Sequence, residues 1–131
     1  MIVDASAIIA ILRAEPQAEA MARALDRAHT SSISAVNYVE AAVVIDSSGS
    51  VISRLRFDDF FREAPVVIES VTPEQAKIAR EAYRNFGKGR HKAGLNFGDC
   101  FAYALAKVTG EPLLFIGDDF GHTDVEAAVE P

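Results

Sequence analysis

The sequence has one cysteine, Cys100, no tryptophan and only three histidines in 131 residues. A single thiol closes no internal disulfide and offers no thiolate pair to zinc, which excludes a disulfide scaffold and a zinc module. His29, His91 and His122 are scattered, with no second ligand or nucleophile at motif spacing, so nothing points to a histidine metal site or a histidine general base. Positive charge is also scarce: 13 Lys and Arg face 19 Asp and Glu, for a formal net charge of -6. Any polyanion must therefore meet a local patch rather than a global basic field. Long apolar runs are missing too, since no segment reaches the roughly 18 residues that a spanning helix needs. The opening MIVDASAIIAILRAEP lacks a basic leader and is interrupted by Asp4 and Ser6. The expectation is a cytoplasmic protein without membrane association, in which Cys100 is a small core residue.

What is present is an ordinary globular composition, 50% hydrophobic and 24% charged, at a length that suits one domain over residues 1–131. MIVD, TSSIS, VVIES and PLLFI read as strands. SAIIAILRAE is expected to run as a helix up to Pro16, and PQAEAMARALDRA to begin on that proline as its first helical residue. Ser34 is placed to cap AVNYVEAAVVIDSSG, and SVISRLRFDDFFREA reads as an amphipathic helix. Thr72, Pro73 and Gly87 punctuate TPEQAKIAREAYRNFG, while Asn96 and Gly110 bracket FGDCFAYALAKVTG. Strands alternating with helices predict an α/β fold with a mostly parallel central sheet flanked by helices.

In such a sheet, sites form beyond the carboxyl ends of the strands. Asp4 closes the first strand, and Asp118 and Asp119 directly follow LLFI and Gly117, so parallel strands would bring these acids to one edge. Glu40 shares a helix face with Val36, Val43 and Val44, with Asn37 alongside. That face is expected to be buried, and a carboxylate on it needs a cation, a donor or a metal. Asp99 opens an otherwise apolar helix. Singly, each acid has a plain alternative: a cap for Asp4, the helix dipole for Asp99, turn chemistry for Asp118 and Asp119, a structural buried acid for Glu40. Together, carboxylates without histidine or cysteine suit a hard cation, Mg2+ or Mn2+, able to activate water for phosphodiester displacement. Emptied of metal, such a cluster repels itself and holds raised carboxylate pKa values.

VDAS with Asp4, YVEAA with Glu40, NFGDCFAYALA with Asp99 and LLFIGDDF with Asp118 stand in an order that resembles the PIN-domain ribonucleases, specifically the VapC toxins of VapBC toxin-antitoxin pairs. The resemblance covers nearly the whole chain, and GKGRHKAGLNFGDCFAYALAK and EPLLFIGDDFGHTDV carry it most specifically. It implies a single PIN-like domain and a metal-dependent endoribonuclease in which Asp4, Glu40, Asp99 and Asp118 hold one or two Mg2+ or Mn2+ ions, supported by Ser6 and Asp119. It also implies cleavage of tRNA, rRNA or mRNA to stop translation, a homodimer, and a VapB-type antitoxin that covers the site. Many relatives separate the fourth acid from the Asp-Phe pair by one residue, whereas Asp118 and Asp119 are adjacent here. Either could be the fourth acid, and Asp118 is preferred because it follows the strand and Gly117 directly. The alternative is a catalytically inactive PIN-like module that binds RNA or a partner, against which the presence of all four acids speaks. A receiver domain would need a mid-chain strand ending in Asp and a late one ending in Lys, and neither is found.

Positive charge concentrates in GKGRHKAG, where Lys88, Arg90 and Lys92 could draw an RNA backbone toward Asp99. A solvated surface loop is the plainer reading, and its glycines suggest freedom to rearrange. Tyr38, Phe97 and Tyr103 could stack on unpaired bases or simply pack in the core. Met21, Leu25, Phe57, Phe60 and Phe61 appear in numbers that suggest a dimer or antitoxin surface on the second and fourth helices.

Overall fold

Neighbouring residues of the two shortest strands set the layering. In a computed structural model that describes residues 1–129, β1 (Ile2–Val3) sends Ile2 into one hydrophobic cluster and Val3 into another. β4 (Leu113–Leu114) divides Leu113 and Leu114 between the same two clusters, as alternating strand side chains must. With β2 (Ser31–Ser34) and β3 (Val66–Glu69), these strands form a sheet in the order β3-β2-β1-β4, parallel throughout. α1 (Ala5–Leu12), α2 (Ala18–Arg27), α3 (Ala35–Asp46) and α4 (Val51–Glu63) contribute Ile8, Met21, Ile45 and Phe57 to the cluster on one face. α5 (Pro73–Phe86) and α6 (Phe97–Thr109) close the other with Ala79, Ala82, Cys100 and Leu105. The expected α/β architecture is the observed one, and Cys100 is a core residue.

The departures have local causes. α2 begins at Ala18 rather than Pro16, because Ala14 adopts φ 53° after α1 and the chain makes a further turn, with Ala18 N–H bonded to Glu15 O at 2.9 Å. β4 is two residues long instead of the five expected for PLLFI; the N–H of Ile116 goes to Ser6 Oγ at 3.0 Å, not to a neighbouring strand. The phenylalanines of α4 turn inward. Phe57 is buried, and it packs with Tyr38 and Phe61 at ring separations of 4.9–5.4 Å. Exposed apolar surface lies instead on Val51, Ile52 and Leu55 of α4 and on Val39 and Val43 of α3. The expected surface on Met21, Leu25, Phe57, Phe60 and Phe61 is thereby corrected: those side chains are buried or half-buried against the core. Among the described residues, no helix is long and apolar enough to cross a membrane.

Candidate active site

Asp4 follows β1 and caps α1, its Oδ2 accepting the N–H of Ser6 at 3.0 Å. Its other oxygen, Oδ1, is buried and has no hydrogen-bond partner among the described residues. An ionised carboxylate oxygen in that condition is costly. Burial accordingly raises the Asp4 pKa, Ser6 and Ala5 oppose the shift, and the charge of Asp119 adds to it. Ser6 thus does two things: it holds Asp4, and its hydroxyl ties α1 to the chain leaving β4.

Glu40 is positioned by its neighbours rather than by the face on which it was expected. The buried face of α3 carries Asn37, Ala41 and Ile45, while Val43 is 60% exposed. Because α3 is apolar on nearly every side, its pattern alone does not say which stripe faces the core. Glu40 is only half-buried at the rim. Asn37, fully buried, donates from Nδ2 to Gly98 O at 2.9 Å and to Glu40 Oε1 at 3.2 Å. The Glu40 carboxylate consequently lies against Gly98, where a Cβ would fall 2.1 Å from Oε2. Its pKa is raised by burial, opposed by Asn37, and raised further by Asp4.

Asp99 and Asn96 form a reciprocal cap on α6: Asp99 N–H donates to Asn96 Oδ1 at 2.9 Å, and Asn96 N–H donates to Asp99 Oδ2 at 3.0 Å. The remaining capacity of the Asp99 carboxyl is left for the site. Burial pushes its pKa up to about 7, against the Asn96 hydrogen bond and with the charges of Asp4, Asp119 and Glu40 adding to burial. The same four acids recur in these mutual effects, so Asp4, Glu40, Asp99 and Asp119 lie close enough to feel one another's charge.

Asp118 and Asp119 are both exposed, and Asp118 is the one the sequence favours as the fourth acid. It contributes to none of these shifts, whereas Asp119 raises both Asp4 and Asp99. Gly117, at φ 104°, redirects the chain immediately before the pair, so nearness to the strand end does not decide which carboxylate faces the others. Asp119 instead leads into the short 3₁₀ turn Phe120–His122, where Phe120 is buried. Gly98 and Asn37 are functional neighbours that the sequence does not mark directly; the available signal is an Asn three residues before Glu40 on an otherwise apolar helix.

Among the described residues, no three acids stand as a finished cage around a cation. The donor set nevertheless fits Mg2+ or Mn2+: it is all oxygen, Asp4 Oδ1 lacks a partner, and the acids oppose one another's ionisation. Mg2+ in particular keeps several waters and needs only one or two direct carboxylates.

The basic loop is better ordered than its glycines suggested. Lys88 N–H bonds Leu95 O and Leu95 N–H bonds Phe86 O, both at 2.9 Å, while Ala93 N–H reaches His91 Nδ1 at 3.0 Å. Ala93 and Leu95 are fully buried, and Gly89 and Gly94 take positive φ, so these glycines serve the turn. Lys88, Arg90 and Lys92 are exposed, and none is among the charges that shift the four acids. Neither His29 nor His122 is among the groups that shift the four acids. Of the candidate stacking residues, Tyr38 packs among phenylalanines and Tyr103 is buried with its hydroxyl donating to Asp124 at 2.7 Å; Phe97 is exposed.

Residues 1–126 match the PIN domain family. Ribonuclease VapC28 of Mycobacterium tuberculosis is 51% identical over 99% of this chain and 98% of that protein. Ribonuclease VapC of Mycolicibacterium smegmatis is 47% identical over 97% of the chain and 98% of its own length. Among solved structures, VapC20 of Mycobacterium tuberculosis, described as a sarcin-ricin loop cleaving toxin, superposes with a TM-score of 0.79 at 17% identity, covering 99% of this chain and 98% of that one. A chain of a toxin-antitoxin complex from Klebsiella pneumoniae gives 0.72 at 16% identity, with the same coverage. At those identities the two structures speak for the fold alone.

Proposed function

The chain belongs to the PIN-domain family, among its VapC ribonucleases, and we propose that it is an Mg2+- or Mn2+-dependent endoribonuclease toxin neutralised by a VapB-type antitoxin. The observation that carries this reading is Asp4 Oδ1, a buried carboxylate oxygen with no donor, set among acids that raise one another's pKa. Asp4, Glu40, Asp99 and Asp119 would hold one or two ions, with Asp119 in the role first expected of Asp118. A divalent cation there supplies an activated water and stabilises charge on a phosphodiester being displaced.

The chain's own residues supply the rest. Ser6 fixes one Asp4 oxygen and so aims the other. Asn37 holds Glu40 against Gly98, and the cap with Asn96 fixes the Asp99 rotamer. The Asp99 carboxyl, whose pKa burial raises to about 7, would be held ionised by a bound cation, so metal binding there would be coupled to loss of its proton. Lys88, Arg90 and Lys92 would meet the backbone of tRNA, rRNA or mRNA, and the exposed apolar side chains of α3 and α4 offer surface for the antitoxin or for a second copy in a homodimer. The protein would act in the cytoplasm.

Purified protein freed of antitoxin is expected to cut RNA with Mg2+ or Mn2+, to stop on addition of EDTA, and to lose at least about a hundredfold in rate in Asp4→Asn or Asp99→Asn. The absence of a finished three-acid cage favours one other reading, an inactive PIN module that only binds. Cleavage that persists without metal would refute the mechanism, and binding without cleavage would establish the module.

A further inference from the structure

Phe97 is 74% exposed although it opens α6 and stands two residues before Asp99. Its ring leans on Phe101, with centroids 5.0 Å apart at 58°, so its position is set even though most of it faces water. An open groove of about 590 Å³ lies on one side, shared with Val36, Val39, Glu40 and Gly98. On the other is a cleft of about 390 Å³, floored by Ala79 and Cys100 and rimmed by Arg80 and Tyr83. Tyr83 is 43% exposed and carries the Arg90 guanidinium 5.3 Å from its ring centroid. Arg80 and Arg90 are exposed, and among the described residues neither is in an ion pair.

We propose that Phe97, with the cleft it shares with Tyr83 and Arg80, takes an unpaired RNA base adjacent to the phosphate that is cut. The proposal rests on the ribonuclease reading above and adds to it a residue that positions the strand. An exposed ring leaning on Phe101 wants a flat apolar partner, and the guanidinium groups of Arg80 at the rim and of Arg90 over Tyr83 want an anion. A nucleotide supplies both at once, through a base that stacks and a phosphate that pairs. Phe97 also forms a wall of the groove that Glu40 lines, so a strand whose base stacks on the ring has that groove next to it. A second copy of the chain, net charge -6, could also cover the ring; that outcome is separable.

Two measurements test the proposal with Phe97→Ala, Phe97→Leu and Phe97→Trp. The first is the affinity of a fluorescein-labelled single-stranded RNA containing all four bases, measured in EDTA, where cleavage plays no part. The second is kcat/KM on the same RNA with Mn2+, alongside substrates made abasic on either side of the cut bond. Phe97→Ala is expected to weaken both by roughly five- to a hundredfold, the worth of one stacked base. Phe97→Trp should recover the loss and Phe97→Leu should not, while one abasic substrate should impose the same loss on wild type and little more on Phe97→Ala. Unchanged binding in Phe97→Ala, full recovery by leucine, or a loss that tracks conversion of a dimer to a monomer in light scattering would each overturn the proposal. If the wild type binds RNA in a Phe97-dependent way but never cuts it, the ribonuclease reading fails and the stacking site stands.

Discussion

The carboxylate of Glu40 lies against the α-carbon of Gly98, and Asn37 holds the pair together by donating to Glu40 Oε1 and to Gly98 O. A Cβ at position 98 would stand 2.1 Å from Glu40 Oε2, but the obstructing atom is the end of a flexible side chain. Gly98→Ala is therefore expected to displace Glu40 rather than unfold the helix. Mn2+ affinity should fall about tenfold, as for loss of a residue that orients a ligand, with stability within about 1 kcal/mol of wild type. Calorimetric Mn2+ titration beside urea denaturation checks it; a large loss of stability with unchanged Mn2+ affinity would refute this account of Gly98.

The raised Asp99 value gives the metal-free protein a pH dependence of definite sign. A carboxyl whose folded pKa of about 7 exceeds its ordinary 3.8 binds more protons folded than unfolded throughout that interval. Stability from this group is therefore lost as pH rises from near 4 toward 7. Asp4 and Glu40, also raised, act in the same direction. Comparing urea midpoints in EDTA at about pH 5 and about pH 8, Asp99→Asn should show a smaller decline than wild type, because an amide can accept the same Asn96 N–H and does not titrate. Equal pH profiles for the two proteins would remove Asp99 as the source.

Much of this was legible in the sequence because the informative residues act locally. Ser34, Thr72, Pro73, Asn96 and Gly110 mark helix ends by chemistry that needs no knowledge of the fold, and each marks one here. Asp4 is legible because it closes the first strand, and sites in a parallel α/β sheet form beyond the carboxyl ends of its strands. The buried face of α3 is not legible because valines surround that helix, and only tertiary packing, of Asn37 on Gly98 and of Ala41 and Ile45 in the core, selects it. Counting from the strand favours Asp118, but the positive φ of Gly117 turns the chain just before the pair, so the count alone does not choose between Asp118 and Asp119.

That exchange is directly measurable. Asp119 raises the pKa of Asp4 and Asp99, and Asp118 raises neither. Asp119→Asn should lower both values in the metal-free protein and weaken Mn2+ binding by about tenfold or more, while Asp118→Asn should change neither beyond a few-fold. Carboxyl titrations followed by NMR, together with Mn2+ titration of each variant, decide between them. If Asp118→Asn alone weakens the metal, the assignment reverts to Asp118.

The basic loop makes the last prediction, because its fold and its charge are separable. Its backbone is pinned by Lys88 N–H to Leu95 O and by Leu95 N–H to Phe86 O, and its apolar anchors are Ala93 and Leu95. None of those contacts uses the charged ends of Lys88, Arg90 or Lys92. Replacing all three by glutamine should leave stability within about 1 kcal/mol and Mn2+ affinity unchanged, since their charges do not enter the acid site. RNA affinity should fall, and the slope of its logarithm against that of salt should flatten by about 2, the value for three phosphate contacts at roughly 0.7 each on a single strand. Binding measured across a series of KCl concentrations gives the slope. A variant that binds more weakly at every salt concentration with the slope unchanged would mean that the loop touches RNA without neutralising phosphate, and that cations outside it, such as Arg80 at the Phe97 cleft, carry the electrostatic contact instead.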